Sequence, residues 1–205
     1  MELRYDKMAL TPFGEVMPGF RYWPWLQKKV LGLAANGMSF DLAEGKGPRA
    51  FSVEPGPVSI VTPICFEITK PGVCRKLALA ADHRPIILLN LTNDGWFGGF
   101  DPAREQHLQI ARWRAAELGV SVVRAANTGI SAVIDPTGRV LARGVDGSPK
   151  AAQVDGTLTL DVAASAPGTI YSRTGDVLGW STLAGTVLVL VLAKVRGRRG
   201  VEMAA

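Results

Sequence analysis

The run Ser59-Ile60-Val61-Thr62-Pro63-Ile64-Cys65-Phe66-Glu67 carries the clearest chemistry in the chain. Ser59 to Ile64 is apolar and β-branched and reads as a buried strand. Such a strand brings Cys65 to the end of a sheet, where an open α/β fold holds its reacting groups. A thiol placed there is a nucleophile when a base or cation favours the thiolate. Cys65 equally fits a small apolar core residue. Glu67 adds a carboxylate two residues on. Cys74, the second cysteine, reads as a helix packing residue, and two cysteines make no disulfide framework. His83 and His107 lie far apart without the partners of a zinc site, so no metal or cofactor is expected.

The elements that would position Cys65 alternate between strand and helix, which argues for α/β layers. Met1 to Leu10 is an extended stretch that contains Lys7. Thr11 to Glu15 is a loop punctuated by Pro12 and Gly14. Arg21 to Ala35 can form a helix with Trp23, Leu26, Val30 and Leu33 near one face. Tyr22, Trp23 and Trp25 crowd its start, which suits either a core helix or a surface that meets lipid headgroups. A short strand is expected near Ala50 to Val53, a helix over Pro71 to Ala81, and a second apolar strand over Ile86 to Leu91. Fully apolar strands suggest a sheet covered on both faces.

Thr92 to Phe100 follows as a loop that mixes turn residues with Trp96, Phe97 and Phe100, unusual for a mere connector. Asp101 then caps a helix with Pro102 at its first position. Leu108, Ala111, Ala115 and Leu118 give that helix an apolar face, with Arg104, Arg112 and Glu117 largely elsewhere. Strands are expected over Val120 to Ala125, Ser131 to Ile134, Val140 to Arg143 and near Gly156 to Val162, with a turn at Asp135 to Gly138.

The chain has 205 residues, 47% hydrophobic and 20% charged, enough for one sizeable ordered domain. Its net charge of +5 is unevenly spread, with Lys194, Arg196, Arg198 and Arg199 clustered near the C-terminus. No basic-aromatic platform for nucleic acid accompanies them. They follow Val177 to Ala193, which holds no charged residue and has Trp180 near its start. Together these read as a membrane helix, an interfacial anchor and a positive-inside flank. The expected division is a catalytic domain over 1–176 on the outer face, a span over 177–193, and a cytoplasmic tail over 194–205. The N-terminus lacks the apolar run of a signal peptide.

Several stretches stand together: Tyr5-Asp6-Lys7 through Pro12-Phe13-Gly14-Glu15, then Ile64-Cys65-Phe66-Glu67, then Asn90-Leu91-Thr92-Asn93-Asp94-Gly95-Trp96-Phe97-Gly98. With Gln106-His107, Arg112 to Glu117, Arg124 to Ser131 and Tyr171 to Asp176, they resemble the nitrilase superfamily. Within it they resemble its membrane branch, the bacterial apolipoprotein N-acyltransferases of the inner membrane. The resemblance implies an αββα sandwich and a Glu-Lys-Cys triad, with Lys7 as the lysine and Cys65 as the nucleophile. That family moves an acyl chain from a phospholipid, through a cysteine thioester, to the N-terminal amine of a diacylglyceryl-cysteine lipoprotein. Glu15 matches a further required carboxylate. Phe66 and Glu67 match the two positions after the nucleophile, the first often tyrosine in the family. Trp96 matches the loop that borders the active site.

Lys7 would place an ammonium beside the tetrahedral oxyanion, aided by the backbone N–H after Cys65. A carboxylate must take the thiol proton, and Glu15 and Glu67 are the candidates. Either equally fits an acceptor for loop N–H groups. The triad glutamate has no match, since Glu2 sits too close to Lys7. The chain is therefore expected to be part of a longer enzyme, with little activity alone. A soluble nitrilase-type amidase and a non-catalytic membrane-tethered subunit are the alternatives.

Overall fold

The computed structural model describes residues 4–12, 14–16, 25, 29, 42–144 and 157–202, the side chains of 195–202 excepted. Its chain forms two compact units, 1–172 and 173–205. The helix expected over Arg21 to Ala35 lies outside the described residues save Trp25 and Lys29, both helical.

In the first unit, six strands form one sheet in chain order: β1 (Ala50–Ser52), β2 (Ser59–Val61), β3 (Ile86–Asn93), β4 (Ser121–Asn127), β5 (Ala132–Ile134) and β6 (Val140–Arg143). β2, β3 and β4 are parallel, and β1, β5 and β6 join antiparallel. Each parallel step needs a crossover. α1 (Pro71–Leu79) supplies the first and α2 (Asp101–Leu118) the second.

The register puts Val61, Leu88, Val122 and Ile134 in one row across four strands, every one fully buried. Cys74, Leu77 and Ala78 of α1 and Leu108, Ala111, Ala115 and Leu118 of α2 pack in the same core. Burying a large aliphatic side chain there contributes about 2 kcal/mol.

Four expectations need correction. β2 ends at Val61, short of Ile64, because Pro63 has no N–H for the ladder; Ile64 rejoins by a single bridge to Leu91. β3 is not covered on both faces by the described residues: it alternates, burying Ile86, Leu88, Asn90 and Thr92 while Leu91 and Asn93 are exposed. Near Gly156 to Val162, residues 157–162 form no strand, and 156 lies outside the described residues. Leu158 and Leu160 are exposed, so no burial rewards a ladder, and only Ser165 bridges to Ile86. Finally, Arg104 is buried on α2, donating to Asp101 at 2.6 Å and to the Gly98 carbonyl, while Phe100 rather than Asp101 takes the cap position.

The chain continues through α3 (Ile170–Thr174) into α4 (Val177–Glu202). Val177–Lys194 has a mean hydropathy of 1.8 and no buried residue within its unit. α4 is long and apolar enough to cross a membrane.

Candidate active site

Cys65 stands where β2 has ended and a 3-10 turn over Cys65–Thr69 begins. Its φ is +49°, in the left-handed region, which costs a residue with a Cβ about 1 kcal/mol. Cys65 lines a cavity of about 340 Å³ whose wall is almost entirely carbon. Phe66 and Thr69 come from the same turn, Trp96 and Phe97 from a 3-10 turn over Asp94–Phe97, and Ala103, His107 and Ile110 from α2. Trp96 is 63% exposed, so it stands at the rim. Lys70 places its ammonium over the Phe66 ring, 4.9 Å from the centroid.

Lys7 lies in the coil of residues 4–12. Its side chain is largely buried, and its Nζ donates to Glu15 Oε2 at 2.5 Å and to Thr11 Oγ1 at 3.1 Å. The Thr11 N–H donates to the same Glu15 oxygen at 2.7 Å, while the Thr11 carbonyl accepts from the N–H groups of Gly14, Glu15 and Val16. Burial works against the Glu15 charge, but the hydrogen bonds from Lys7 and Thr11 hold its carboxyl below the usual range. Thr11 also lines the cavity, so this turn borders it.

Glu67 joins the two halves. It is fully buried, and its Oε1 accepts from the Met8 N–H at 2.6 Å and the Ala9 N–H at 3.0 Å. Its Oε2 accepts from the Ile64 N–H at 2.8 Å, and the Tyr5 hydroxyl donates to both oxygens at 2.9 and 3.0 Å. One carboxylate thus binds the residues after Lys7 and the residue before Cys65. Burial, together with the Glu67 charge, keeps the Tyr5 hydroxyl protonated far above its ordinary range. Of the two readings open for Glu67, this is the acceptor for loop N–H groups. With four donors on two oxygens it is poorly placed to take a thiol proton.

Beneath the turn lies a buried polar network. Arg124 of β4 donates to Asn90 Oδ1 at 2.6 Å, Asp94 Oδ2 at 2.7 Å and the Ile130 carbonyl at 3.1 Å. His107 Nδ1 meets Asp94 Oδ1 at 2.9 Å, and Thr92 donates to that oxygen at 3.2 Å. Burial alone would raise the Asp94 carboxyl; His107 and Arg124 instead hold it low. Gly129 permits this packing, since a Cβ there would lie 2.2 Å from Asp94 Oδ2.

Tyr5, Thr11, Asn90, Asp94, His107 and Arg124 had no role assigned from sequence. Two carried a readable signal: Asn90 and Arg124 interrupt apolar strands at positions that alternation sends to the core. Cys74 is buried in α1, its thiol pushed up to about 12 by burial, and both cysteines are free.

The carbon-nitrogen hydrolase family profile matches residues 3–164. The chain is 40% identical over 194 residues to an apolipoprotein N-acyltransferase of Bradyrhizobium diazoefficiens, covering 95% of this chain and 33% of that protein. It is 35% identical over 190 residues to one of Geobacter metallireducens, covering 93% and 33%. The chain therefore spans about a third of the length of these curated relatives. Among solved structures, a carbon-nitrogen hydrolase of Helicobacter pylori G27 is similar over 52% of this chain and 42% of that one, at 16% identity and a TM-score of 0.44.

Proposed function

The chain belongs to the carbon-nitrogen hydrolase family, and on that footing we propose that it carries the nucleophile of an acyltransferase of the apolipoprotein N-acyltransferase kind. The Cys65 thiolate attacks a phospholipid ester carbonyl. The acyl–oxygen bond breaks, the lysophospholipid leaves as its alcohol with the proton the thiol gave up, and the acyl chain stays on Sγ as a thioester. The amine of a diacylglyceryl-cysteine lipoprotein then attacks, forming an amide and returning the thiol. The Lys7 ammonium and the Phe66 N–H serve the oxyanion in both steps. Glu15 keeps Lys7 charged and in place, Glu67 fixes the Lys7 segment to the nucleophile turn, and Phe66 and Trp96 flank the acyl chain. Glu15 is bound to Lys7 and Glu67 already accepts from four donors, so neither is well placed to take the thiol proton.

The observation that carries this reading is a cysteine opening on a cavity walled by carbon. An acyl chain gains by entering such a space, against Phe66, Phe97, Ala103 and Ile110. α4 is long and apolar enough to cross a membrane, which supports the same reading; on that reading Lys194, Arg196, Arg198 and Arg199 lie at its cytoplasmic end and residues 1–176 on the outer face.

The test is to incubate the purified chain in micelles with a fluorescent phospholipid and follow the mass of the Cys65 peptide. A hydroxylamine-labile acyl adduct, absent in Cys65→Ser, is expected. No adduct, or hydrolysis of a simple amide in its place, overturns the reading.

A further inference from the structure

Cys65 needs something to hold it in a left-handed conformation, because a residue with a Cβ relaxes out of that region unless its surroundings forbid it. The ladder cannot do so alone: β2 stops at Val61, and beyond the Ile64–Leu91 bridge the approach to Cys65 has no strand pairing. The Pro63 carbonyl is held by a side chain, accepting from Asn90 Nδ2 at 2.9 Å.

The chemistry fixes the orientation of that amide. Arg124 Nη1 lies 2.6 Å from the other end of the Asn90 side chain, and a guanidinium only donates. The atom facing Arg124 must therefore be the amide oxygen, and the NH2 must face Pro63. Asn90 and Arg124 are register partners on neighbouring strands, both buried. Arg124 is locked in turn by Asp94 and the Ile130 carbonyl, and Asp94 by His107 of α2. An amide in the middle of an apolar strand is costly to bury unless every polar atom finds a partner. Here both ends do, and one of them reaches the residue two before the nucleophile.

We propose that Asn90 is a positioning residue for the nucleophile: its amide, locked by Arg124, holds the Pro63 carbonyl and keeps Cys65 in the left-handed turn that opens on the cavity. This rests on Cys65 being the group that is acylated, but its test does not need acyl transfer.

Asn90→Asp separates the two ends of the amide. A carboxylate still accepts from Arg124 but has no N–H for Pro63. The readout is the rate at which Cys65 of the full chain in mild detergent is labelled by N-dodecylmaleimide, which enters the apolar cavity, relative to N-methylmaleimide. Cys74 stays silent, being buried with its thiol pushed up to about 12. We expect the long-chain rate to fall at least fivefold relative to the short-chain rate, with circular dichroism unchanged. A smaller fall overturns the proposal, because Asp would then have rescued everything Asn90 does.

A second arm covers an Asn90→Asp chain that does not fold. Cys65→Gly should raise the thermal midpoint of the parent chain, where the turn is held under strain, and not that of Asn90→Leu, where it has relaxed. Equal shifts in both backgrounds overturn the proposal. Loss of phospholipid acylation at Cys65 with these results intact would remove the acyl-transfer reading and leave the positioning role standing.

Discussion

At the scale of single residues, the site is built from charges that are each committed to one partner set. Glu67 receives four donors from Tyr5, Met8, Ala9 and Ile64. Glu67→Gln replaces one acceptor oxygen by an NH2 that faces donors. We expect it to destabilise the chain by about 2–4 kcal/mol in urea unfolding and to slow Cys65 labelling as the Lys7 segment comes loose. Asp94 and Glu15 lend stability with a definite pH sign. Both are held below their ordinary values of 3.8 and 4.5. A depressed carboxyl contributes fully above its unfolded value and loses that contribution as pH falls through the folded one. Urea midpoints should therefore drop as pH falls below about 4.5. Asp94→Asn should flatten that acid limb while lowering stability at neutral pH, since it leaves the buried Arg124 without its counter-charge. An unchanged acid limb in Asp94→Asn would remove this account.

At the scale of elements, the coil carrying Lys7 depends on its neighbours for shape. The Gly45 N–H donates to the Lys7 carbonyl at 2.7 Å, and a Cβ at Gly45 would sit 2.0 Å from the Asp6 carbonyl oxygen. Gly45→Ala must push residues 6 and 7 away from segment 42–47. We expect hydrogen exchange at the Met8 and Ala9 amides to quicken at least tenfold, since both donate to Glu67. Exchange in β3 should stay as it is, because that strand is held by β2 and β4. Uniform quickening across the sheet would mean that the substitution acts by global destabilisation.

At the scale of the whole molecule, the question is what α4 does. With no buried residue in its apolar stretch, Val177–Lys194 exposes a surface that water does not tolerate well in a monomer. We expect the full chain to stay in the membrane fraction through an alkaline carbonate wash, and a chain ending at residue 176 to be released. Retention of both would place the membrane contact elsewhere, and release of both would end the spanning reading.

Sequence by itself determined the strand-and-helix alternation, the apolar face of α2, the apolar character of α4 and the candidacy of Cys65, while Lys7 and Glu15 became candidates through the family resemblance. These depend on local pattern: a period of two or of 3.6, a run without charge, a motif in one stretch. The same kind of evidence placed the Asp135 to Gly138 turn, where Asp135 Oδ1 accepts from Thr137 and Arg139 as a turn aspartate should. What only the tertiary structure decided is whom each polar group meets. By sequence Glu67 is a candidate base beside Cys65; in the fold residues 5, 8 and 9 close on it from about sixty positions away. Arg104 belongs by charge to a solvated face, yet the Gly98 carbonyl and Asp101 allow it to be buried. Asn90 and Arg124 broke the apolar pattern of their strands, but only the sheet register makes them partners under the nucleophile. Burial makes an unpaired polar atom expensive, and its partners are chosen by proximity in space, which a linear pattern does not encode.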